Sequence, residues 1–596
     1  MAYNVLGINP GHNGSAALIS DGEVVYYLEE ERLSKLKYDG NPFRAMLDII
    51  SKWPVDEIVI GGTTSNLSKL PWTQEDSYTA LVRKFYPEVK TTNLGDEHHL
   101  GHAACAFYNS GFDKAIAVIV DGAGSFKQEK IDEDGKLVIE GFETESIWIC
   151  EPQNKFSLLY KVYGNNTGIK VGNGQVDFDN AVTVTKAYEA VTQYLGFGFI
   201  EAGKTMGLAS YGSRDPSIPN LFLGNRGSKD VFIPSYPAGA YIDSRRLPVF
   251  QQEVSPTEWH TDPSKLTSIE KNLAWHIQQD TQKIIGDYIE NAIKATNINK
   301  VVIAGGYGLN CVSNYYLKKR FPNIELYVEP ISHDGGTAIG VAMYKWFEHL
   351  KNINRQKFVI DKSEDTGTDI VNVVEESLDD SIFQCKPQTS IYYGPVYNPE
   401  KIQLALANSN NFDTKSVTYK DVAKLISEKN IVAIFQGRSE AGPRALGNRS
   451  IVYDPRDPDG KEFVNKVKGR EWFRPFAGSV LVEDANEWFD MAGLEESPFM
   501  MYAVNVVADK LDKIPCITHV DDTCRVQTVN EEQNLHYYNL IKEFKNITEV
   551  PVLFNTSFNL AGEPLVETID DALSTLNRSD LSYLYLPELN LLVTKK

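Results

Sequence analysis

Three times along this 596-residue chain an apolar run ends in a cluster of glycines. Residues 4–9 lead into Pro10-Gly11-His12-Asn13-Gly14, residues 115–120 into Asp121-Gly122-Ala123-Gly124-Ser125, and residues 301–304 into Gly305-Gly306-Tyr307-Gly308. Short apolar runs rich in β-branched residues and ended by glycine read as buried strands. Glycine at such a turn takes dihedrals that other residues avoid and removes side-chain bulk, so backbone N–H groups can approach a phosphate. One loop of this kind is weak evidence, and sharp turns without a ligand are the alternative. Three, each after a strand, predict a duplicated α/β nucleotide-binding fold.

The first copy continues as a strand over 15–20, Asp21-Gly22, and a strand over 23–29, which is a hairpin signature. A second Asp-Gly turn is expected at Asp134-Gly135. Residues 273–295 have helical apolar spacing and are expected to form a long core helix. Residues 351–368 are polar and separate this region from a second one with α/β character. The expected domains are 1–355 and 366–596, as the length implies more than one hydrophobic core. Apolar residues make up 42% and charged residues 23%, the proportions of a globular enzyme. A net charge of −21 argues against general nucleic-acid binding. The start lacks the basic end and apolar run of a signal peptide, and no stretch suits a membrane span. Six cysteines without a CxxC pair fit free thiols in a reducing cytoplasm.

Three of the ten histidines fall in Glu97-His98-His99-Leu100-Gly101-His102. His98 and His102 are four residues apart, so a helix would place both rings on one face, able to share a metal. The pattern lacks the glutamate of an HExxH protease. Asp121 and Asp334, each beside glycine at the end of an apolar run, could complete the set. Two imidazoles and two carboxylates suit Fe²⁺, Zn²⁺ or Mn²⁺. The plainer reading is a helix start whose histidines bond locally.

Residues 436–474 hold nine Lys/Arg against six acidic residues, a local reversal of the chain's charge. Arg438, Arg444, Arg449, Lys468, Arg470 and Arg474 are interleaved with glycines and with Trp472, Phe473 and Phe476. Planar guanidinium groups grip phosphate or carboxylate bidentately, so the run suits a polyanion pocket. A solvated charged face is the alternative, and the aromatics weigh against it. Arg525 follows in a further segment, and residues 551–559 read as a strand entering a polar loop with Asn555 and Ser557.

Together these stretches resemble the NodU/CmcH family of O-carbamoyltransferases along essentially the whole chain. The resembling segments are 11–17 (GHNGSAA), 29–34 (EEERLS), 98–104 (HHLGHAA), 203–212 (GKTMGLASYG), 305–312 (GGYGLNCV), 442–450 (GPRALGNRS), 470–477 (REWFRPFA) and 554–559 (FNTSFN). Asn13, Ser210 and Ser313-Asn314-Tyr315-Tyr316 depart from the family's usual residues. The resemblance implies a duplicated actin-like (ASKHA) N-terminal domain, similar to tRNA threonylcarbamoyl transferases. It implies a C-terminal YrdC-like α/β domain with a twisted open sheet. It further implies that carbamoyl phosphate and ATP give a carbamoyl-adenylate, whose carbamoyl group passes to a hydroxyl of a small-molecule acceptor.

By the same resemblance, His98, His102, Asp121 and Asp334 match iron-binding positions and His12 matches a base. Arg444, Lys468, Arg474 and Arg525 match a carbamoyl phosphate and ATP pocket, with Mg²⁺. Lys204, Gly305, Gly306, Asn310, Arg438, Arg449, Asn555 and Ser557 are the further expected contacts to nucleotide or intermediate. A sugar-kinase-like phosphotransferase, a tRNA threonylcarbamoyl transferase and a non-catalytic nucleotide sensor are the rival readings. The acceptor, whose pocket is expected to involve loops such as 224–268, is not readable. A homodimer is compatible with the sequence, which carries no signal for oligomeric state.

Overall fold

Strand Asn4–Asn9 is buried along its whole length and takes partners on both sides. It pairs antiparallel with Ser15–Ser20, which pairs antiparallel with Glu23–Glu29. On its other edge it runs parallel to Glu57–Ile60, which runs parallel to Lys90–Asn93. Asp21 and Gly22 turn the first hairpin with φ of 48° and 82°, the positive pair that a tight hairpin requires. These elements come from a computed structural model that describes residues 2–63, 75–130, 137–164, 169–172, 175–178, 183–218, 257–356 and 380–596.

The same plan recurs around Ala115–Val120. That strand pairs antiparallel with Leu137–Glu151, which pairs antiparallel with Lys155–Gly164. Its other edge runs parallel to Lys300–Ala304, followed by Glu325–Val328. Phe126–Lys130 adds to the far end of Leu137–Glu151. Two sheets with one strand order establish the duplicated α/β architecture expected from the glycine loops. The repeat also reveals a fourth loop that the sequence reading passed over. Gly61-Gly62 follows Glu57–Ile60 as Gly305-Gly306 follows Lys300–Ala304, and Gly62 and Gly305 have φ of 78° and 88°.

Helices His98–Ser110 and Thr337–Gln356 cross at very short range between the sheets. A Cβ on Gly340 would collide with the Gly101 carbonyl, and one on Gly101 would press on Thr337 and Val341 at 3.3 Å. Glycine at both positions permits this approach, which brings the start of one helix beside the start of the other. The expected core helix spans Ser268–Thr296. It begins earlier than its apolar spacing because Thr267 and Glu270 form a capping box, and it ends at Asn297 with φ 57°.

Residues 412–595 build one ten-stranded mixed sheet. Its centre is Arg449–Tyr453, Val552–Ser557, Ala477–Leu481 and Thr523–Val529, with the first three antiparallel and the last parallel to its neighbour. An open α/β sheet is expected of the second domain, and its strands prove to be mixed in direction. The halves share packing: Met206 and Cys311 of the first cluster with Ala503 of the second, and Ala441, Leu446 and Ala477 join the core around Ala338 and Ile339. The expected boundary at 355–366, the Asp134-Gly135 turn and residues 224–256 of the expected acceptor loop fall at or within segments outside the described residues. No helix among the described residues is long and apolar enough to cross a membrane.

Candidate active site

The helix His98–Ser110 has no side-chain N-cap of its own. Its first N–H groups reach into the second repeat instead, His98 N donating to Ser125 Oγ at 3.2 Å and His99 N to Glu143 Oε2 at 3.4 Å. This docking sets the helix start beside the loop after Ala115–Val120. His98 Nε2 then lies 3.4 Å from Asp121 Oδ2 and 3.6 Å from Asp334 Oδ1, and His102 Nε2 lies 3.7 Å from Asp334 Oδ1. The two imidazole nitrogens face each other at 3.1 Å. All four residues are buried, and one donor atom from each lies within 4.8 Å of the others.

Bonds of about 2.0–2.2 Å to a shared ion place adjacent ligand atoms about 3.0–3.5 Å apart, so this set fits one divalent metal. The acidic pair has no lysine or arginine within ion-pair distance among the described residues, only histidines. Burial opposes a charge on His98, but Asp334 and Asp121 outweigh it and raise its pKa well above the ordinary value. Burial and Asp334 push Asp121 up, and His98 and His102 hold it below the carboxylate range nonetheless. His99 turns away: its Nδ1 meets Ser146 Oγ at 2.8 Å, and burial pulls its pKa down to about 3.

His12 extends from the first glycine loop with its side chain 54% exposed and Nδ1 3.4 Å from Asp334 Oδ2. That placement favours the tautomer with Nδ1–H toward the carboxylate, leaving the Nε2 lone pair free. Buried Asn9 holds the loop, its Nδ2 donating to the His12 and Asn13 carbonyls at 3.3 and 3.2 Å. In the third loop Gly306 N donates to Asp121 Oδ1 at 2.9 Å, and Gly305 leaves no room for a side chain against Val120. Asn310 caps the next helix through Ser313 N at 3.0 Å and exchanges amide bonds with Gln278.

The third loop ends at Leu309, whose carbonyl accepts from Arg444 Nη2 at 2.9 Å. Arg444 begins a second constellation, in the other half. Arg474 acts on the ionisation of Arg444, Lys468, Arg470 and Arg525, and Arg525 acts on Arg444 and Arg470, so these groups lie close together. Burial and then Arg525 pull Arg444 down to about 9. Burial, then Arg470, Arg474 and Lys37, push Lys468 well below its ordinary value. Among the described residues only Arg474 of these five has a carboxylate within ion-pair distance, Glu471 at 3.5 Å. Nε of Arg444 and of Arg525 are buried without a protein acceptor. Buried cationic groups without counter-charge are costly, and an anionic ligand supplies what is missing. Ser557 Oγ and Asn559 Oδ1 accept from Lys468 Nζ at 3.1 and 3.0 Å, and buried Asn555 bonds Ser479 and Gln527 on neighbouring strands.

The structure does not bring every expected residue to these sites. Arg438 donates to the carbonyls of Gly394 and Val25, at 2.7 Å each, and of Tyr393 at 2.5 Å. Arg449 is fully buried, donates to the carbonyls of Gln436 and Asn448, and lies 3.8 Å over the Phe435 ring. Both guanidinium groups make their hydrogen bonds to backbone carbonyls, and Nε of Arg449 has no hydrogen-bond partner. Lys204 is held by Glu201 at 2.8 Å and Glu471 at 2.6 Å, at the rim of the cationic cluster. Arg470 joins the cluster from the basic run, and Lys37 joins it from the first half. Arg470 had the signal, its place in the basic run; Lys37, at position 37 in the other half, had none.

Two family models cover the chain in order: "Carbamoyltransferase N-terminus" matches residues 64–343 and "Carbamoyltransferase C-terminus" residues 423–595. The nodulation protein NolO of Bradyrhizobium diazoefficiens is 30% identical over 499 residues, 81% of this chain and 76% of that one. The 3'-hydroxymethylcephem-O-carbamoyltransferase of Amycolatopsis lactamdurans is 24% identical over 585 residues, 95% of each chain. Among solved structures, HypF of T. kodakarensis is 13% identical, covers 59% of this chain and 48% of its own, and has a TM-score of 0.38, too slight a likeness to build on. With both halves matched, and relatives that include an O-carbamoyltransferase and nodulation proteins, the chain belongs to the NodU/CmcH-type carbamoyltransferase family and is an enzyme.

Proposed function

We propose that this protein is an ATP-dependent O-carbamoyltransferase that divides its chemistry between the two constellations. One observation carries the reading. A single turn, Gly306–Leu309, has its first N–H on the metal-site carboxylate Asp121 and its last carbonyl on Arg444 of the cationic cluster. Two sites of opposite charge thus abut across one backbone turn.

The cluster of Arg444, Lys468, Arg470, Arg474 and Arg525 would hold carbamoyl phosphate and the ATP triphosphate with Mg²⁺, charges that repel unless fixed cations offset them. Water cleaves carbamoyl phosphate to carbamate and inorganic phosphate, and a carbamate oxygen then attacks the α-phosphate of ATP, expelling pyrophosphate and leaving a carbamoyl-adenylate. Passage into the first half without release shields that anhydride from water. There Gly305 and Gly306 present a loop without side chains, and His12 stands exposed to accept the proton of an acceptor hydroxyl on Nε2. Asp334 steadies the resulting imidazolium. His98, His102, Asp121 and Asp334 would hold Fe²⁺ or another divalent transition metal, which when bound polarises a carbonyl oxygen as a Lewis acid. The acceptor is proposed to be a hydroxyl-bearing small molecule.

ATP–pyrophosphate exchange that depends on carbamoyl phosphate tests the division. Exchange falls at least about 10³-fold in Arg444→Ala and in Arg474→Ala, because the polyphosphate loses its cations. It persists in His12→Ala, which lacks only the base for transfer. Normal exchange in the arginine variants, or equal loss in all three, removes the two-site reading. Transfer of a phosphoryl group with ADP as product would favour a kinase instead.

A further inference from the structure

The segment 29–41 runs between the two sites, and the chemistry above gives it no part. At one end it touches the metal loop. Glu29 Oε1 lies 3.0 Å from His333 Nε2, and His333 Nδ1 accepts from Gly335 N at 3.0 Å, so this pair brackets Asp334. Arg32 Nε faces the other Glu29 oxygen at 3.5 Å. Its Nη2 crosses into the second half, donating to the carbonyls of Glu440 at 3.2 Å and Gly442 at 2.8 Å. Those carbonyls flank Ala441, three residues before Arg444. Lys35 then pairs with Asp571, also in the second half. Finally Asp39 O accepts from Gly14 N at 2.8 Å and Asn41 N donates to Pro10 O at 3.3 Å, holding the loop that presents His12. Tyr27, two residues before this segment, donates its N–H to Tyr393 O at 3.1 Å.

A buried arginine whose Nη2 donates to two main-chain carbonyls fixes backbone position without entering the chemistry. Arg32 and Glu29 are each only 3% exposed, so water does not compete for these bonds. We propose that Arg32 is a positioning residue that holds the loop of Arg444 in register with the metal loop, so that the intermediate crosses without meeting water. This inference rests on the two-site reading above. Loss of register opens a leak with a defined balance. Water adds at the carbamoyl carbon, the bond from that carbon to the bridging oxygen breaks, and AMP and carbamate leave with release of two protons.

The test uses the full-length, metal-loaded protein with ATP, Mg²⁺ and carbamoyl phosphate and no acceptor. Two rates are read: ATP–pyrophosphate exchange, and AMP release. In the wild-type protein exchange outruns AMP release, because the intermediate is sheltered. Arg32→Lys keeps a cation opposite Glu29 but loses the Nη2 bonds to the Glu440 and Gly442 carbonyls. It is expected to hold exchange within about threefold while AMP released per exchange event rises about tenfold, as a misplacement near 1 Å suffices for such effects. Lys35→Met breaks an exposed tie of the same segment and raises the ratio about threefold. A residue that merely stabilised the fold would lower both rates together and leave their ratio unchanged. An unchanged ratio in both variants overturns the proposal; should Arg32→Lys fail to fold, the ratio in Lys35→Met decides alone. Absence of exchange in the wild-type protein is a different outcome, and it removes the two-site reading itself.

Discussion

The metal constellation packs two carboxylates against two imidazoles with no lysine or arginine in ion-pair reach, whereas in the cationic cluster of Lys37, Arg444, Lys468, Arg470, Arg474 and Arg525 only Arg474 has a carboxylate, Glu471, in such reach, in both cases among the described residues. Each is electrostatically incomplete, in opposite senses. Elsewhere buried guanidinium groups have more protein partners, although Nε of each still lacks a hydrogen-bond partner: Arg449 donates to four carbonyls, and Arg32 faces Glu29 and donates to two carbonyls. The two constellations stand open by comparison. A cation closes one and a polyanion the other, and the cost of leaving each open is recovered when the ligand binds.

The comparison breaks most sharply at the metal side. His98→Ala removes the imidazole shared by both aspartates. Metal content is expected to fall from about one per chain to near zero, and carbamoyl transfer by about 10²–10⁴-fold, as for loss of a Lewis acid. Exchange of pyrophosphate into ATP stays within about threefold. Elemental analysis and the two half-reactions check this; a full complement of metal in the variant would show that the quartet is not a ligand set.

At the cationic side the expectation concerns stability. Arg444→Met deletes a guanidinium with a buried, unpaired Nε and with Arg525 and Arg474 as neighbours. The ligand-free variant should be more stable than the wild-type protein by about 1–3 kcal/mol in denaturant unfolding, although it is inactive. Pyrophosphate should raise the midpoint of the wild-type protein and not that of the variant. Arg449→Met provides the contrast: it strands four carbonyls and destabilises by about 3–5 kcal/mol. A destabilised Arg444→Met would mean that the cluster is already neutralised by the fold.

The two constellations were not equally legible in the sequence. His98 and His102 are readable because a helix converts a spacing of four into one face, and Asp121 because a strand ending in glycine exposes its next residue. Asp334 is tied to them only by the Gly101–Gly340 crossing, which no local pattern announces. The basic run was legible as a run, not as a pocket. Whether a guanidinium turns to a ligand or to the backbone depends on strand pairing across more than a hundred residues, as with Arg449 and Glu567. Arg438 and Arg449 have the same composition around them as Arg444, and only the fold separates them. Likewise the duplicated architecture was readable from three glycine loops, while Gly61-Gly62 was hidden because its strand, Glu57–Ile60, is only four residues long.

The smallest expected effect sharpens what distinguishes the metal-site carboxylates from other buried acids of the same half. Asp121 and Asp334 are held low by imidazoles. Glu329, also fully buried, has no such neighbour: burial pushes it up to about 7, despite hydrogen bonds from Ile331 N, Asn109 and Tyr327. A carboxyl raised in the folded state binds its proton more tightly there than in the unfolded chain. Its contribution is therefore full below the unfolded value of 4.5 and is lost as pH rises through about 7. Glu329→Gln, which cannot ionise, should lack that slope. Relative to the wild-type protein it gains about 2–3 kcal/mol at most between pH 5 and pH 8. Unfolding curves of both proteins at the two pH values measure the difference. A parallel response would mean that Glu329 is ionised within the fold, compensated as the aspartates are, and the contrast between the metal site and its surroundings would lose its basis.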